Sequence, residues 1–64
     1  MVNIKKLTEK YNKMVADNEF GFSTIQVNER VVKQYLGKYP QKDDIDDDTL
    51  IKKMALYFHY TALD

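Results

Sequence analysis

Sixty-four residues with no cysteine and one histidine, His59, exclude disulfides and leave no zinc site built on thiolates or on several imidazoles. A chain this short reads as one domain over residues 1–64, and a core of that size yields only ~3–5 kcal/mol of net stability. Ten basic and ten acidic residues cancel to zero net charge, which lacks the strong basic footprint expected of a nucleic-acid binder.

The first predicted element is an amphipathic helix over about residues 3–17. Ile4, Leu7, Tyr11, Met14 and Val15 recur at helical spacing on one narrow face, with Asn3 as its N-cap. Lys5, Lys6, Lys10 and Lys13 lie on the rest of the surface, where a solvated helix back is the simple expectation.

The pattern breaks between Asp17 and Gly21. Ser23-Thr24-Ile25-Gln26 then has the form of a capping box, and Phe22 with Val27 has the spacing of a hydrophobic staple. Both predict that the second helix begins at Thr24 and runs over about 24–36. Its face would be Ile25, Val32, Tyr35 and Leu36 with Val31 at the edge, Glu29 and Lys33 would pair one turn apart, and Gly37 would stand just past its end. The competing expectation is a strand over 20–27, from its aromatic and β-branched content.

Residues 38–46 read as a loop, because Pro40 disfavours helical geometry at Tyr39 and Lys42-Asp43-Asp44 is strongly polar. The third helix is predicted over about 48–62, with aspartates at its positive N-terminal end. Leu50, Ile51, Met54, Phe58 and Ala62 fall on one side at 100° per residue. Leu56, Tyr60 and Leu63 fall on a roughly opposite side, with Tyr57 bordering the first. The expected fold class is therefore an all-α compact three-helix domain, with helix three as its hydrophobic spine.

Two short companions cover one apolar side of helix three more readily than two. The second side is then expected to meet another protein or a second copy of the chain, through Leu56, Tyr57, Tyr60 and Leu63. Tyrosine suits such a surface, having an apolar body and a polar tip.

Other chemistry is less well supplied. Asp44, Asp46 and Asp48 share the first three ligand positions of a calcium loop, but Thr49 stands where glycine is required and Ala55 where glutamate is. A helix-turn-helix is the alternative expectation, with helix two in the major groove and Gln26, Asn28, Arg30 and Gln34 as contacts. It would act as a dimer and use Lys5, Lys6, Lys10, Lys13 and Arg30 on phosphates. Against it stand the zero net charge and a single arginine.

Catalysis has no cysteine nucleophile, one serine assigned to a cap, and one histidine expected at the surface. A domain of this size is also expected to lack a pocket of ~300 Å³. The expectation is a non-enzymatic protein-interaction module, regulatory, adaptor or inhibitory, without cofactor, metal or small-molecule substrate. A homodimer or a larger protein is the expected partner.

Charge is uneven along the chain, with eight basic and four acidic residues in 1–42 against two and six in 43–64. No apolar run approaches the ~18 residues of a membrane span, and the charged Met1–Lys6 stretch is not followed by the apolar core of a secretory leader. Cytoplasmic residence is the resulting expectation. Nine lysines to one arginine fit an AT-rich genome, such as that of a low-GC bacterium or one of its phages.

Overall fold

Each helix is set by a residue able to satisfy the free amides at its start. The computed structural model describes residues 3–61. Within them α1 spans Ile4–Ala16, α2 Glu29–Lys38 and α3 Asp47–Thr61, with no strand among the described residues. Asn3 caps α1 by accepting from the Lys6 amide at 3.1 Å. The far end of α1 closes as a Schellman turn, in which Asn18 N–H donates to Val15 and Glu19 N–H to Met14, both at 3.1 Å. Asn18 takes the required left-handed conformation at φ 55°.

Helix two starts five residues later than expected. It starts at Glu29 and is capped by Asn28, whose side chain accepts from the Val31 amide at 3.0 Å. Ser23 is no cap, and residues 23–28 run extended instead of helical. The reason is tertiary: an extended chain here finds partners on the other helices that a helix would forgo. Ile25, predicted on the helix face, is 48% exposed. Gly37 lies inside α2 and not beyond it; the helix stops at Tyr39, just before Pro40. Replacing Asn28 by Ala should cost about 1 kcal/mol, while Ser23→Ala should be neutral within about 0.5 kcal/mol. Equilibrium urea unfolding of the two variants distinguishes them, and a larger loss at Ser23 would restore the earlier start.

Residues 23–28 form a strap held from two sides. Asn12 binds Val27 twice, with Oδ1 accepting the Val27 amide at 2.8 Å and Nδ2 donating to its carbonyl at 2.6 Å. The Tyr11 hydroxyl is 2.9 Å from both Thr24 Oγ1 and the Ile25 carbonyl, and Thr24 Oγ1 is 3.4 Å from the Ala55 carbonyl. Two hydroxyl protons serve three contacts. The shorter pair is made when Thr24 donates to Tyr11 and Tyr11 donates to Ile25. Burial pushes the Tyr11 hydroxyl above its ordinary pKa, partly offset by the bond from Thr24. Gln26, predicted to reach its own helix start, donates to the Asn12 carbonyl instead.

Asp46 starts α3, taking the Thr49 hydroxyl at 2.6 Å and the Thr49 amide at 3.4 Å. The bond from the Thr49 hydroxyl holds the Asp46 carboxyl below its ordinary pKa. A depressed folded-state value means that its stabilisation is complete above the unfolded pKa and is lost as pH falls through the folded one. Asp46→Asn should flatten that part of the acid limb of a melting-temperature profile; an unchanged limb would show that the cap carries no pH dependence. Asp48 pairs with Lys10 at 2.8 Å, tying α3 to α1 through an exposed bridge that contributes little. Glu29 and Lys33 form no ion pair.

Leu7 and Tyr11 of α1, Val32 of α2, and Leu50, Ile51, Met54 and Ala55 of α3 exclude solvent completely, with Tyr35 and Phe58 nearly so. Thr8 joins them, its hydroxyl satisfied by the Ile4 carbonyl at 2.7 Å. Helix three thus supplies most of the core, as expected of a spine. Yet α1 is the helix whose backbone lies against both others. Large rings hold α2 and α3 apart: Tyr35 stacks on Tyr57 at 5.2 Å and on Phe58 at 5.9 Å. All eight aromatic residues, with His59, join one contact network running from Tyr60 to Tyr39.

Candidate protein interface

Burial divides α3 lengthwise. Leu50, Ile51, Met54, Ala55 and Phe58 face inward, while Lys52, Leu56 and Tyr60 form a ridge at i, i+4 and i+8 on the outer side. Leu56 is 46% and Tyr60 66% exposed, the largest apolar surface that α3 leaves in water. Leu63, expected on the same side, lies outside the described residues.

A groove of about 200 Å³ runs beside this ridge, lined by Met14, Glu19, Phe20, Phe22, Lys52 and Leu56. Its outer wall comes from the connection between α1 and α2. Asn18 and Gly21, at φ 55° and 76°, turn the chain back so that Phe20 stacks on Tyr11 at 5.8 Å and Phe22 on Phe20 at 5.8 Å. His59 fixes the wall to α3. A carbonyl can only accept, so His59 Nδ1–H donates to the Ser23 carbonyl, and the ring packs on Phe22 at 4.8 Å and Tyr60 at 5.0 Å. The single histidine therefore touches the serine backbone and not its hydroxyl, which is no nucleophile–base arrangement.

Tyr57 does not join this ridge. It is half-buried and turned toward α2, where it meets Tyr35 at 5.2 Å and Tyr39 at 5.3 Å. Lys38 Nζ lies 5.5 Å from the Tyr39 ring and 5.9 Å from that of Tyr57, a cation–π contact at the mouth of a cleft of about 280 Å³. Burial raises the Tyr35 pKa, and the neighbouring Tyr39 and Tyr57 raise it further. Two open surface clefts, of about 390 and 430 Å³, exceed the ~300 Å³ set as an upper expectation. Lys42, Asp44 and Lys53 line the first, and Lys10, Lys13, Asp48 and Lys52 the second.

Lys5, Lys6, Lys13 and Arg30 are exposed, and Lys10 is taken by Asp48. The bond that Lys10 donates to Asp48 raises the Lys10 pKa. Twelve residues, 17–28, separate α1 from α2, against the three or four of a helix-turn-helix. Gln26 and Asn28, two of the four residues considered for base contacts, are committed to Asn12 and to the α2 cap. Among the described residues no three candidate metal ligands converge, and Asp46 and Asp48 are engaged by Thr49 and Lys10. No helix among them is long and apolar enough to cross a membrane.

The groove walls Met14, Phe20 and Phe22 were not apparent as site residues in the sequence. Their one local signal was an aromatic pair flanking Gly21, which fits a helix staple equally well. Comparison with protein-family models, with curated proteins and with solved structures finds no match to this chain.

Proposed function

We propose that this chain is a small non-catalytic protein-interaction domain that docks a partner on the outer face of α3. The observation that carries the reading is the exposure of Leu56 and Tyr60 directly beside the groove of Met14, Phe20 and Phe22. Apolar surface left in water at a place with concave relief favours burial against another molecule. Leu56, Met14, Phe20 and Phe22 framed by Lys52 and Glu19 also match the usual layout of such surfaces, apolar at the centre and charged at the rim. Regulation, adaptation or inhibition of a partner are the roles that fit a domain of this size with no built reaction centre among its described residues.

Nucleic-acid binding through α2 draws less support, because the α1–α2 connection is long and two of its intended contact residues are already bonded.

A photocrosslinking amino acid placed at Tyr60 tests the reading in cells that express the protein. The expected result is a defined covalent adduct from position 60 and none from Lys33, an exposed control on α2. Equal labelling at both positions, or no adduct at position 60, overturns the proposal.

A further inference from the structure

We infer that the 23–28 strap is a two-state element, which leaves its moorings in a minor form and joins α2, so that the helix begins at Thr24 instead of Glu29. The inference concerns the strap itself and stands apart from the docking role proposed above.

Its first support is that the segment carries two helix starts and the structure uses the later one. Asn28 caps α2 through the Val31 amide at 3.0 Å. Ser23 and Gln26 keep the complete earlier capping box, and Phe22 with Val27 keeps the staple spacing. The Ser23 hydroxyl is free for that role, since only the Ser23 carbonyl is bonded among the described residues. Thr24, Ile25 and Val27 give the same stretch the β-branched content of an extended chain. Such conflict between local and tertiary preference marks functional elements of a fold.

The second support is that conversion leaves no moored backbone group without a partner. In the strap, side chains bond five such groups. His59 takes the Ser23 carbonyl, Tyr11 the Ile25 carbonyl, Asn12 the Val27 amide and carbonyl, and Asn28 the Val31 amide. An α-helix joins each amide to the carbonyl four residues earlier. Started at Thr24, it pairs Val27 N–H with Ser23, Glu29 N–H with Ile25, and Val31 N–H with Val27. All five groups are then satisfied. The Thr24 and Gln26 carbonyls, unbonded among the described residues, gain the Asn28 and Arg30 amides as well. Ile25, 48% exposed in the strap, moves to the helix face of Val32, seven residues on. The strap prevails because the fully buried Tyr11 would lose the acceptor of its hydroxyl.

Conversion also dismantles the groove beside Leu56. Residues 23–28 shorten from ~17 Å extended to ~8 Å helical. That draws Phe22 off His59 and opens the wall it forms with Phe20. The groove belongs to the strapped form, so whatever fills it holds the strap, and release of the strap empties it. Val27 then lies in a fraying first turn, where its amide exchanges readily.

Saturation-transfer NMR of the whole chain, read at the Cα carbons, tests the inference. A second form populated at roughly 0.1–10% should show helical shifts at residues 24–28, with Phe20 and Phe22 exchanging at the same rate. Three substitutions at exposed positions set its population without entering the core. Asn28→Ala removes the cap used only in the strapped form and should raise the second form about fivefold. Ser23→Ala removes the cap used only in the longer helix and should lower it about fivefold; the two together should return it near the parent value. Glu29→Pro should eliminate it, because proline suits a first helical position and breaks a helix interior. No exchange at 24–28 in either the parent or Asn28→Ala overturns the inference. So does a second form with coil shifts at 24–28, or one that persists in Glu29→Pro.

Discussion

Ile51→Ala should abolish cooperative unfolding at 25 °C. Ile51 excludes solvent completely and lies among Leu50, Met54 and Ala55 at the centre of the core. Truncating such an isoleucine costs ~2–5 kcal/mol, through lost transfer energy and the cavity left behind. A chain of this length has only about 3–5 kcal/mol to lose. The cost is therefore comparable with the entire stability, and the folded population should collapse. Loss of the sigmoidal far-ultraviolet transition on heating is the expected reading. A transition within a few degrees of the parent would mean that the core is not organised around this residue. Leu56→Ala, five residues along the same helix, is the internal contrast. Its side chain is about half in water, so at concentrations where the chain is a monomer the change should stay within about 0.5 kcal/mol. Protein concentration must be held constant between the variants, because an associating chain gains apparent stability with concentration.

Asn12→Ala should release the strap over 23–28 and cost about 2–4 kcal/mol. One amide side chain satisfies both backbone groups of Val27, at 2.8 and 2.6 Å, much as a neighbouring strand would. Removing it leaves a donor and an acceptor unmatched in a half-buried place, where water replaces them only in part. Hydrogen exchange is the sharper measurement. The Val27 amide should lose its protection while amides in the middle of α1 and α3 keep theirs relative to global stability. Persistent protection at Val27 would show that the strap is held by Tyr11 and His59 alone. Asn12→Asp keeps the shape and the acceptor but sets a carboxylate oxygen against the Val27 carbonyl. That repulsion raises the folded-state pKa of the new carboxyl above its unfolded value. The variant should therefore be least stable at neutral pH and recover as pH falls, since the protonated group can donate again.

The strap is also where the sequence misled. Ser23 and Asn28 are both competent N-caps, and Gln26 and Val27 fit the earlier one better by local rules. Asn28 prevails because Tyr11, Asn12 and His59 supply partners for an extended 23–28 segment. Those partners are fourteen to thirty-six residues away in sequence, beyond the reach of any local pattern. Thr8 differs for a local reason: it is polar by type, yet its hydroxyl folds back on the Ile4 carbonyl one turn earlier and lets it enter the core.

The candidate interface shows the same division. That α3 carries apolar residues on more than one side was legible, because periodicity at 100° per residue assigns Leu50, Ile51, Met54 and Phe58 to one face and Leu56 and Tyr60 to another. Tyr57 lies between the two, and its turn toward α2 follows from Tyr35 and Tyr39, whose places depend on where α2 begins. The Phe20–Phe22 wall likewise depends on two left-handed residues, Asn18 and Gly21, acting together with the clasp at His59.

By itself the sequence determined three helices, the inward faces of α1 and α3, the stop before Pro40 and the absence of any cysteine chemistry. Those features arise within a few residues along the chain, where helical spacing, capping and ring closure operate. Only the tertiary structure decided where α2 starts, that α1 touches both other helices, and that a groove opens beside Leu56. Such outcomes depend on which backbone groups and rings meet across long stretches of chain, and hydrogen-bond satisfaction in a partly buried place then outweighs local preference.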